Sequence, residues 1–318
     1  MIRQRGIAMV LVLWVLSLLI IMAGSFALSM RREAALISVL KNNAHAKAIA
    51  ESGISLAEMM LLSPEPSKVW RADGSIYEIK ASDAIIRIRL QSEAGKIDIN
   101  KADQTTLQSL MALAPVDSEQ QGKLVDAILD WRDADNLVRL DGAEKEEYQE
   151  AGLNYQPRNK PFESTEELQL VLGMNKKVLA WLDPLVTIYS NQPHINYQVA
   201  SKEVLQAMPG LDAGLIDSFV IMRMQSAKNN LPAPPFPLNT GSSNTAGQND
   251  IVTLVSEALV DDESRAMLSV VITKSNINEK TPFQILKWQP VTSNNASLYT
   301  ATMSELLVKQ YAEPELNN

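Results

Sequence analysis

The sequence predicts an α+β protein in which one long N-terminal helix packs on an antiparallel sheet and a large all-helical domain is inserted between strands of that sheet. Three observations support this prediction. A charge-free apolar stretch runs without a break into an amphipathic helical pattern. Short alternating segments rich in β-branched residues occur before and after the middle of the chain, and the middle itself carries helix-capping residues. The N-terminal half of the long helix is expected to be transmembrane.

The composition excludes several classes of function. The chain has 318 residues, a formal net charge of −8, no Cys and 2 His, which are His45 and His194. Thiol nucleophiles, disulfides and zinc sites built on Cys and His clusters are therefore excluded, and little remains for histidine acid–base catalysis. Nucleic-acid binding is driven by Lys and Arg that displace counterions, which an acidic chain does not favour. We expect neither enzymatic activity nor a nucleic-acid partner.

The first thirty residues contain a segment long enough to cross a membrane. No charged residue occurs between Arg5 and Arg31. A helix over residues 7–28 reaches about 33 Å, which matches the hydrocarbon core of a bilayer. The alternative is a cleavable secretory signal with its cleavage site near Ala23–Ser25, but such signals have apolar cores of only ~7–15 residues. A transmembrane helix over residues 7–28 is the favoured interpretation.

The helical pattern continues beyond this span. From Arg31 to Leu62 there is no Pro and the only Gly is Gly53, while small and apolar residues recur at three- and four-residue spacing. Ser63–Pro66 ends the pattern. We therefore expect one rod of about 55 residues, because the helical periodicity is not interrupted. Part of its apolar face, between about Leu28 and Leu56, should remain free for partners.

The N-terminus resembles that of type IV prepilins, with a short basic leader that ends in Gly6 and an apolar stretch directly after it. The resemblance implies that a prepilin peptidase cleaves between Gly6 and Ile7 and methylates the new N-terminus at Ile7. Most members of that family carry Glu at the fifth mature position, where this chain has Leu11. The family's Glu is thought to meet the N-terminal amine of a neighbouring subunit inside the bilayer, where an unpaired charge is costly. A subunit without it is expected at the filament tip.

The predicted strands flank the middle of the chain. Ile76–Ala81 and Ala84–Leu90 precede it and are joined by a turn at residues 82–83, whereas Met267–Thr273 and Phe283–Trp288 follow it. A last helix is predicted over Ser304–Tyr311. The expected divisions are a leader over 1–6, a transmembrane helix over 7–28, the first part of a pilin-like domain over 29–96, the inserted helical domain over 97–190, and the remainder over 191–318 with a disordered loop at 226–250.

Helix-capping signals mark the middle of the chain. Asp103 and Ser118 are predicted N-caps, and Ser164–Glu167 has the spacing of a capping box. Ile99–Leu110 and Ile195–Met208 form a weak internal repeat similar to the helix-hairpin-helix units of DNA-binding proteins. The glycines that follow the second copy, at 210 and 214, are too far apart for the phosphate-binding hairpin of those units and have Asp212 between them. The repeat is therefore interpreted as helical packing.

Acidic residues cluster at the end of one predicted helix and in the loop after it. Asp130, Asp133 and Asp135 are followed by Asp141 and Glu144. Carboxylate oxygens suit Ca²⁺, which takes six to eight oxygen ligands. The segment is not an EF-hand, because Leu137 stands at the third ligand position when Asp133 is counted as the first. The other interpretation is a solvated acidic helix end.

Leu11, the size of the chain and the acidic segment together resemble the K-type minor pseudopilins of the type II secretion system. In that family a stretch reads Asp-Trp, two further acids, and later Gly-Ala-Glu-Asp. The resemblance implies calcium-ligand roles for Asp133, Asp135 and Glu144. This chain has Lys145 where the family pattern has Asp, which disfavours a second ion.

The resemblance also implies a cellular location and a set of partners. The protein would be a single-pass inner-membrane protein with a cytoplasmic N-terminus and a periplasmic bulk. Its partners would be the I- and J-type minor pseudopilins, the major pseudopilin, prepilin peptidase, and secreted cargo or the outer-membrane channel. It would start or cap a short filament that helps export folded proteins across the outer membrane. The alternatives are a minor pilin of a related adhesion or DNA-uptake filament and a secreted soluble binding protein whose first residues, 1–25, are a signal peptide.

Overall fold

A computed structural model describes residues 5–81, 83–238, 251–260, 264–275, 281–291 and 297–308, with the side chains at 5–8 and 67 left out. Within these ranges the chain forms two modules. One is a six-stranded sheet with the long N-terminal helix, and the other is a helix-rich module inserted between strands of that sheet. The helices are α1 (Arg5–Leu61), α2 (Gln104–Met111), α3 (Ser118–Arg132), α4 (Lys145–Glu150), α5 (Lys176–Leu182), α6 (Lys202–Gln206), α7 (Ala213–Lys228) and α8 (Ala301–Glu305). The strands are β1 (Asp73–Lys80), β2 (Ala84–Ser92), β3 (Ile97–Asp98), β4 (Val186–Thr187), β5 (Ile251–Val260), β6 (Ser264–Lys274), β7 (Phe283–Pro290) and β8 (Leu307–Val308).

The long helix α1 is continuous over 57 residues and ends one residue before the predicted Leu62. Ala46, Ala50, Ile54 and Ala57 are buried on one of its faces, at the spacing that places them above one another. A Cβ at Gly53, on the same face, would lie 2.4 Å from Ser256 Oγ in the sheet. Small residues therefore let the C-terminal part of the helix, from Ala46 onwards, lie close against the strands.

One six-stranded sheet receives this helix, in the order β7-β6-β5-β2-β1-β8. Its described pairings are antiparallel except that β8 runs parallel to β1, so the sheet is mixed rather than wholly antiparallel. The predicted strands before and after the middle of the chain all appear, and β5 is an additional strand that was not predicted. The α+β fold with a helix-rich insertion is confirmed.

Among its described residues, the predicted last helix over Ser304–Tyr311 is correct only at Ser304 and Glu305. Helix α8 ends at Glu305, and Leu307 and Val308 pair as a strand with Ile76 and Tyr77 of β1. Val308 is buried there, since packing against the sheet outweighs the local helical pattern. Residues 309–311 lie outside the described ranges.

The inserted module has its own hydrophobic core, which extends from Ile97 to Phe219 and includes side chains of α2, α3, α6 and α7. The prediction of an all-helical domain is corrected by β3 and β4, which pair in parallel through Ile97 and Val186 at the base of the module. The loop expected from residue 226 begins later, because Ser226–Lys228 form the last turn of α7. Residues 239–250 of that loop lie outside the described ranges.

The capping predictions have mixed outcomes. Asp103 is the N-cap of α2, and its carboxylate accepts a hydrogen bond from Thr106 N at 2.8 Å. Ser118 is wrong, because Asp117 caps α3 through Gln120 N at 2.9 Å and leaves Ser118 as the first helical residue. Ser164 makes no capping bond with its side chain, and the segment after it is a 3-10 helix over residues 165–170. The internal repeat is confirmed as two units of a short helix, a turn and a longer helix, α2–α3 and α6–α7.

Candidate functional site

The N-terminal part of α1, up to His45, does not pack on the rest of the described structure. From Met9 to His45 every side chain is exposed, and burial begins only at Ala46. The apolar part has a mean hydropathy of 2.6 over an 18-residue window, and none of that window is buried. By length and composition this is the one helix among the described residues that is suited to crossing a membrane. A core helix of a soluble protein would be buried, whereas a signal sequence would meet the same criterion.

The residues expected to be processed lie in the first turns of this helix. The backbone of Gly6 and Ile7 is helical, and their side chains are outside the described part. Leu11 is 61% exposed. A leucine at this place is suited to a lipid environment, where a carboxylate without a partner is unfavourable.

Beyond the predicted span, a short stretch of α1 still presents apolar side chains to solvent. Leu36, Ile37, Val39 and Leu40 are each more than half exposed. Ile54, which the sequence placed in the same free region, is 2% exposed because it packs on the sheet. The free apolar face therefore ends near Leu40 instead of Leu56. A cluster of this kind outside a bilayer indicates a surface for another protein.

The acidic segment forms a loop between α3 and α4. Asp130 is fully buried in the last turn of α3, and its Oδ2 accepts hydrogen bonds from Arg139 N at 3.2 Å and from Ala143 N at 2.9 Å. A Cβ at Gly142 would lie 2.0 Å from the same Oδ2, so a glycine is needed where the loop crosses Asp130. Glu144 is 2% exposed and its backbone N–H donates to Glu147 Oε2 at 2.8 Å, at the start of α4. The backbone thus wraps around one buried carboxylate.

Negative charge is concentrated in this loop. Burial, together with the carboxylates of Asp130, Asp133 and Asp135, raises the pKa of Glu144 to about 7. Burial also raises the pKa of Asp130, against the opposing effect of its two backbone hydrogen bonds. Carboxylates that raise one another's pKa in this way are stabilised by a cation.

Unpartnered oxygen atoms test whether the loop suits calcium. Asp133 Oδ1, Glu144 Oε1 and Asn159 Oδ1 are buried and have no hydrogen-bond partner within the described structure. Buried polar atoms are normally paired, so the unpartnered oxygens of Asp133 and Glu144 in this loop, with that of Asn159 after α4, fit a cation that prefers oxygen ligands. As the side chains stand, no group of three or more His, Cys, Asp or Glu within the described ranges is close enough to hold a metal ion.

The predicted ligands are not all placed alike. Asp133 and Glu144 direct unpartnered oxygens into the protein, whereas Asp135 Oδ1 accepts a hydrogen bond from Leu137 N at 2.9 Å in its own turn. Sequence reasoning missed Asn159, whose Nδ2 donates to Asn136 Oδ1 at 2.7 Å and whose φ is 53°. An asparagine in a loop tolerates this left-handed conformation, and nothing in the local sequence marks it as an oxygen donor to the acidic segment.

The comparisons with known proteins agree with one another. Residues 87–191 match the family model described as Type II secretion system (T2SS), protein K. Type II secretion system protein K of Klebsiella pneumoniae is 25% identical over 214 residues, which cover 60% of this chain and 64% of that protein. The protein K of Dickeya chrysanthemi is 24% identical over 238 residues, covering 58% of this chain and 66% of the relative. The alignments thus span just under two thirds of the length of these relatives.

A solved structure shows the same fold. It is described as the crystal structure of the GspK-GspI-GspJ complex from the enterotoxigenic Escherichia coli Type 2 Secretion System. The matched chain aligns with a TM-score of 0.51 at 16% identity, over 83% of this chain and 99% of that one. The matches therefore support the resemblance to the K-type minor pseudopilins of the type II secretion system that the sequence indicates, and the solved structure confirms the fold.

Proposed function

We propose that this protein is a minor pseudopilin of the K type, anchored in the inner membrane by residues 7–28 with its soluble part in the periplasm, and that it starts or caps the pseudopilus. The observation that carries the proposal is the division of α1 at Ala46 into a longer part whose described side chains are exposed and a shorter part that packs on its own sheet. A bare apolar helix of this length needs a bilayer and then neighbouring helices to cover it. Its role is assembly rather than catalysis.

The proposed partners are the I- and J-type minor pseudopilins and the major pseudopilin. The structural neighbour is a chain of a GspK-GspI-GspJ complex, which supports this choice. The exposed residues Leu36, Ile37 and Leu40 of α1 supply an apolar contact for the helix of such a partner. The helix-rich module is inserted between β2 and β5 of the sheet and is proposed to meet secreted cargo or the outer-membrane channel.

The processing steps belong to the same proposal. Prepilin peptidase cleaves between Gly6 and Ile7 and methylates Ile7, and the absence of a carboxylate at Leu11 directs the subunit to the tip. The test is the intact mass and N-terminal sequence of the protein from cells with and without the peptidase. The expected result is a methylated Ile7 N-terminus that depends on the peptidase. A start near Ser25 or Phe26 that does not depend on it would show a secreted soluble protein and overturn the proposal.

Calcium is the proposed ligand of the acidic loop. Asp133, Asp135 and Glu144 would hold it together with Asn159, and the ion would supply the positive charge and the partner that the buried oxygens of Asp133, Glu144 and Asn159 lack. These residues all lie within the segment 87–191 that matches the protein K family model. Bound calcium therefore has a structural purpose, which is to hold the α3–α4 loop in place.

Thermal unfolding tests the calcium site. Millimolar calcium should raise the Tm of the protein relative to the same sample in a chelator, because a ligand that binds the folded state stabilises it. Glu144→Gln should abolish most of that rise. Glu119→Gln, which removes an exposed carboxylate paired with Lys123 on the same helix α3, should leave it unchanged. A wild-type protein whose Tm is the same in calcium and in chelator does not have the site.

A further inference from the structure

Arg139 is the one cation between residues 133 and 144, in the loop between α3 and α4. Its side chain is 39% exposed, and its charged group contacts carboxylates at the end of α3. The aliphatic side chains around it, Leu137, Val138 and Leu140, are 76%, 50% and 97% exposed.

The guanidinium of Arg139 bridges two carboxylates. Its Nε lies 3.1 Å from Asp130 Oδ1 and its Nη2 lies 3.2 Å from Asp133 Oδ2. The neighbouring Arg132 is used elsewhere, since it donates to the backbone carbonyls of Ile99 and Ala102. Arg139 is therefore the guanidinium that the described structure places on this pair of carboxylates.

Arg139 balances only part of the charge in the loop. Asp133 is shared, because its Oδ2 faces Arg139 while its Oδ1 is buried without a partner. Glu144 Oε1 and Asn159 Oδ1 are also without partners. Glu144 is more than nine-tenths buried. Asp133 thus carries both an oxygen that faces the arginine and an oxygen without a partner.

We propose that Arg139 is a built-in competitor of calcium, a resident cation that holds residues 137–140 onto Asp130 and Asp133 and lowers the affinity of the acidic loop for the ion. This inference rests on the proposed calcium site and adds its regulation. Two cations that use the carboxylate of Asp133 repel each other, and each weakens the binding of the other by the same factor. The arginine thereby sets the calcium concentration at which the loop is filled.

The test is calorimetric calcium titration of the full-length protein in detergent. Arg139→Gln removes the competing charge and should tighten calcium binding by roughly tenfold or more. The same variant should have a lower Tm in chelator, because the buried carboxylate of Asp130 loses its counter-charge. Its calcium-dependent rise in Tm should therefore exceed that of the wild type. Arg139→Lys keeps the charge and should bind calcium with an affinity close to that of the wild type.

Arg158 offers a matched control in the same module. It pairs with Glu163 and Glu167 at 2.6 and 2.8 Å. Arg158→Gln removes an arginine of similar exposure and should leave calcium affinity unchanged. A general effect of lowering the positive charge of the protein would instead tighten binding in both variants, which would overturn the specific role of Arg139.

The failures of the two proposals are distinguishable. If the wild type binds calcium and Arg139→Gln binds it no more tightly, the competition is wrong and the calcium site stands. If neither protein binds calcium, both are wrong. Should Arg139→Gln fail to fold, the wild type provides the answer through its arginine Nε–H resonances. That of Arg139 should shift with the calcium titration while that of Arg158 does not, and an unchanged Arg139 resonance would contradict the proposal.

Discussion

Arg132 and Arg223 occupy equivalent places in the two helix-turn-helix units. Arg132, at the end of α3, donates to the backbone carbonyl of Ala102 at 2.5 Å, and Arg223, in α7, donates to that of Ala200 at 2.7 Å. Each alanine directly precedes the N-cap residue of the shorter helix of its unit. In both units, therefore, a guanidinium on the longer helix binds the turn that leads into the shorter one.

Removing the second of these arginines should destabilise the protein. Arg223 is 7% exposed and also donates to the carbonyl of Gln198 at 3.0 Å. Arg223→Met leaves both carbonyls without this donor and should lower the free energy of unfolding by about 2–3 kcal/mol, the cost of losing charge-assisted hydrogen bonds. Denaturant unfolding of the full chain measures it. Lys202→Met, which breaks an exposed pair with Asp217, is the control and should cost well under about 1 kcal/mol; equal losses in the two variants would contradict the prediction.

The helix–sheet contact at Gly53 should be intolerant of bulk. Because a Cβ there already meets Ser256 Oγ at 2.4 Å and Ile86 Cγ2 at 3.0 Å, Gly53→Leu forces α1 away from the strands. We expect the free energy of unfolding to fall by about 1–3 kcal/mol, the usual cost of overpacking. Gly122→Ala in α3 is the matched glycine control. Its Cβ meets nothing within 4 Å, so the variant should be neutral or more stable. A Gly53→Leu protein with an unchanged Tm would show that the helix is not held closely.

Asp103 should make a small pH-dependent contribution to stability. The hydrogen bond from Thr106 N lowers the pKa of its carboxyl below the usual value. A lowered folded-state pKa contributes stability above the unfolded pKa, and this contribution is lost as the pH falls through the folded pKa. At pH 7, Asp103→Ala should cost about 1 kcal/mol, the typical loss of an N-cap. The cost should shrink in acid. Asp103→Asn keeps the cap without an ionisable group, so its stability relative to Asp103→Ala should be the same at both pH values; a difference that varies with pH would count against this explanation.

Leu11 should decide where the subunit sits in the filament. Leu11→Glu supplies the carboxylate that most type IV pilin-like subunits carry, so the variant should enter the body of the filament and change pseudopilus length. Leu11→Gln has nearly the same shape without the charge and should behave as the wild type. Filament length by electron microscopy and the amount of secreted protein are the measurements. Unchanged length in Leu11→Glu would show that the missing carboxylate does not place the subunit at the tip.

The long helix was predictable because its signals are local, whereas β5 was not. The spacing of small residues and the proline pair at 64 and 66 mark α1 within the sequence itself. In β5 the alternation is interrupted by two buried polar residues, Ser256 and Glu257. The partners of Glu257 are Leu298 N at 2.5 Å and Ser297 Oγ at 2.9 Å, about forty residues later in the chain. No pattern within the strand reveals that its carboxylate is satisfied.

The acidic loop shows the same limit. The close spacing of the acids made the cluster visible in the sequence, and the resemblance to the K-type family singled out Asp133 and Glu144 within it. Arg139 was not identified, because nothing in the sequence indicates that its guanidinium contacts Asp130, nine residues earlier in the chain. Asn159 reaches the loop from across the module and gives no local signal. The pattern of charges in the sequence predicts where a cation would bind. Only the folded structure shows which protein groups already neutralise the carboxylates.

The bare stretch of α1 between the predicted span and Ala46 has a mechanical consequence. About 17 helical residues, at ~1.5 Å each, form a rigid spacer of about 25 Å, and the sequence over residues 29–45 contains neither Gly nor Pro to bend it. In the proposed membrane-anchored arrangement, the folded part is therefore carried at a set height above the bilayer surface instead of being connected by a flexible tether. A neighbouring subunit anchored in the same bilayer must present its contact surface at the same height to bind this protein. The length of the spacer therefore selects which subunits can dock.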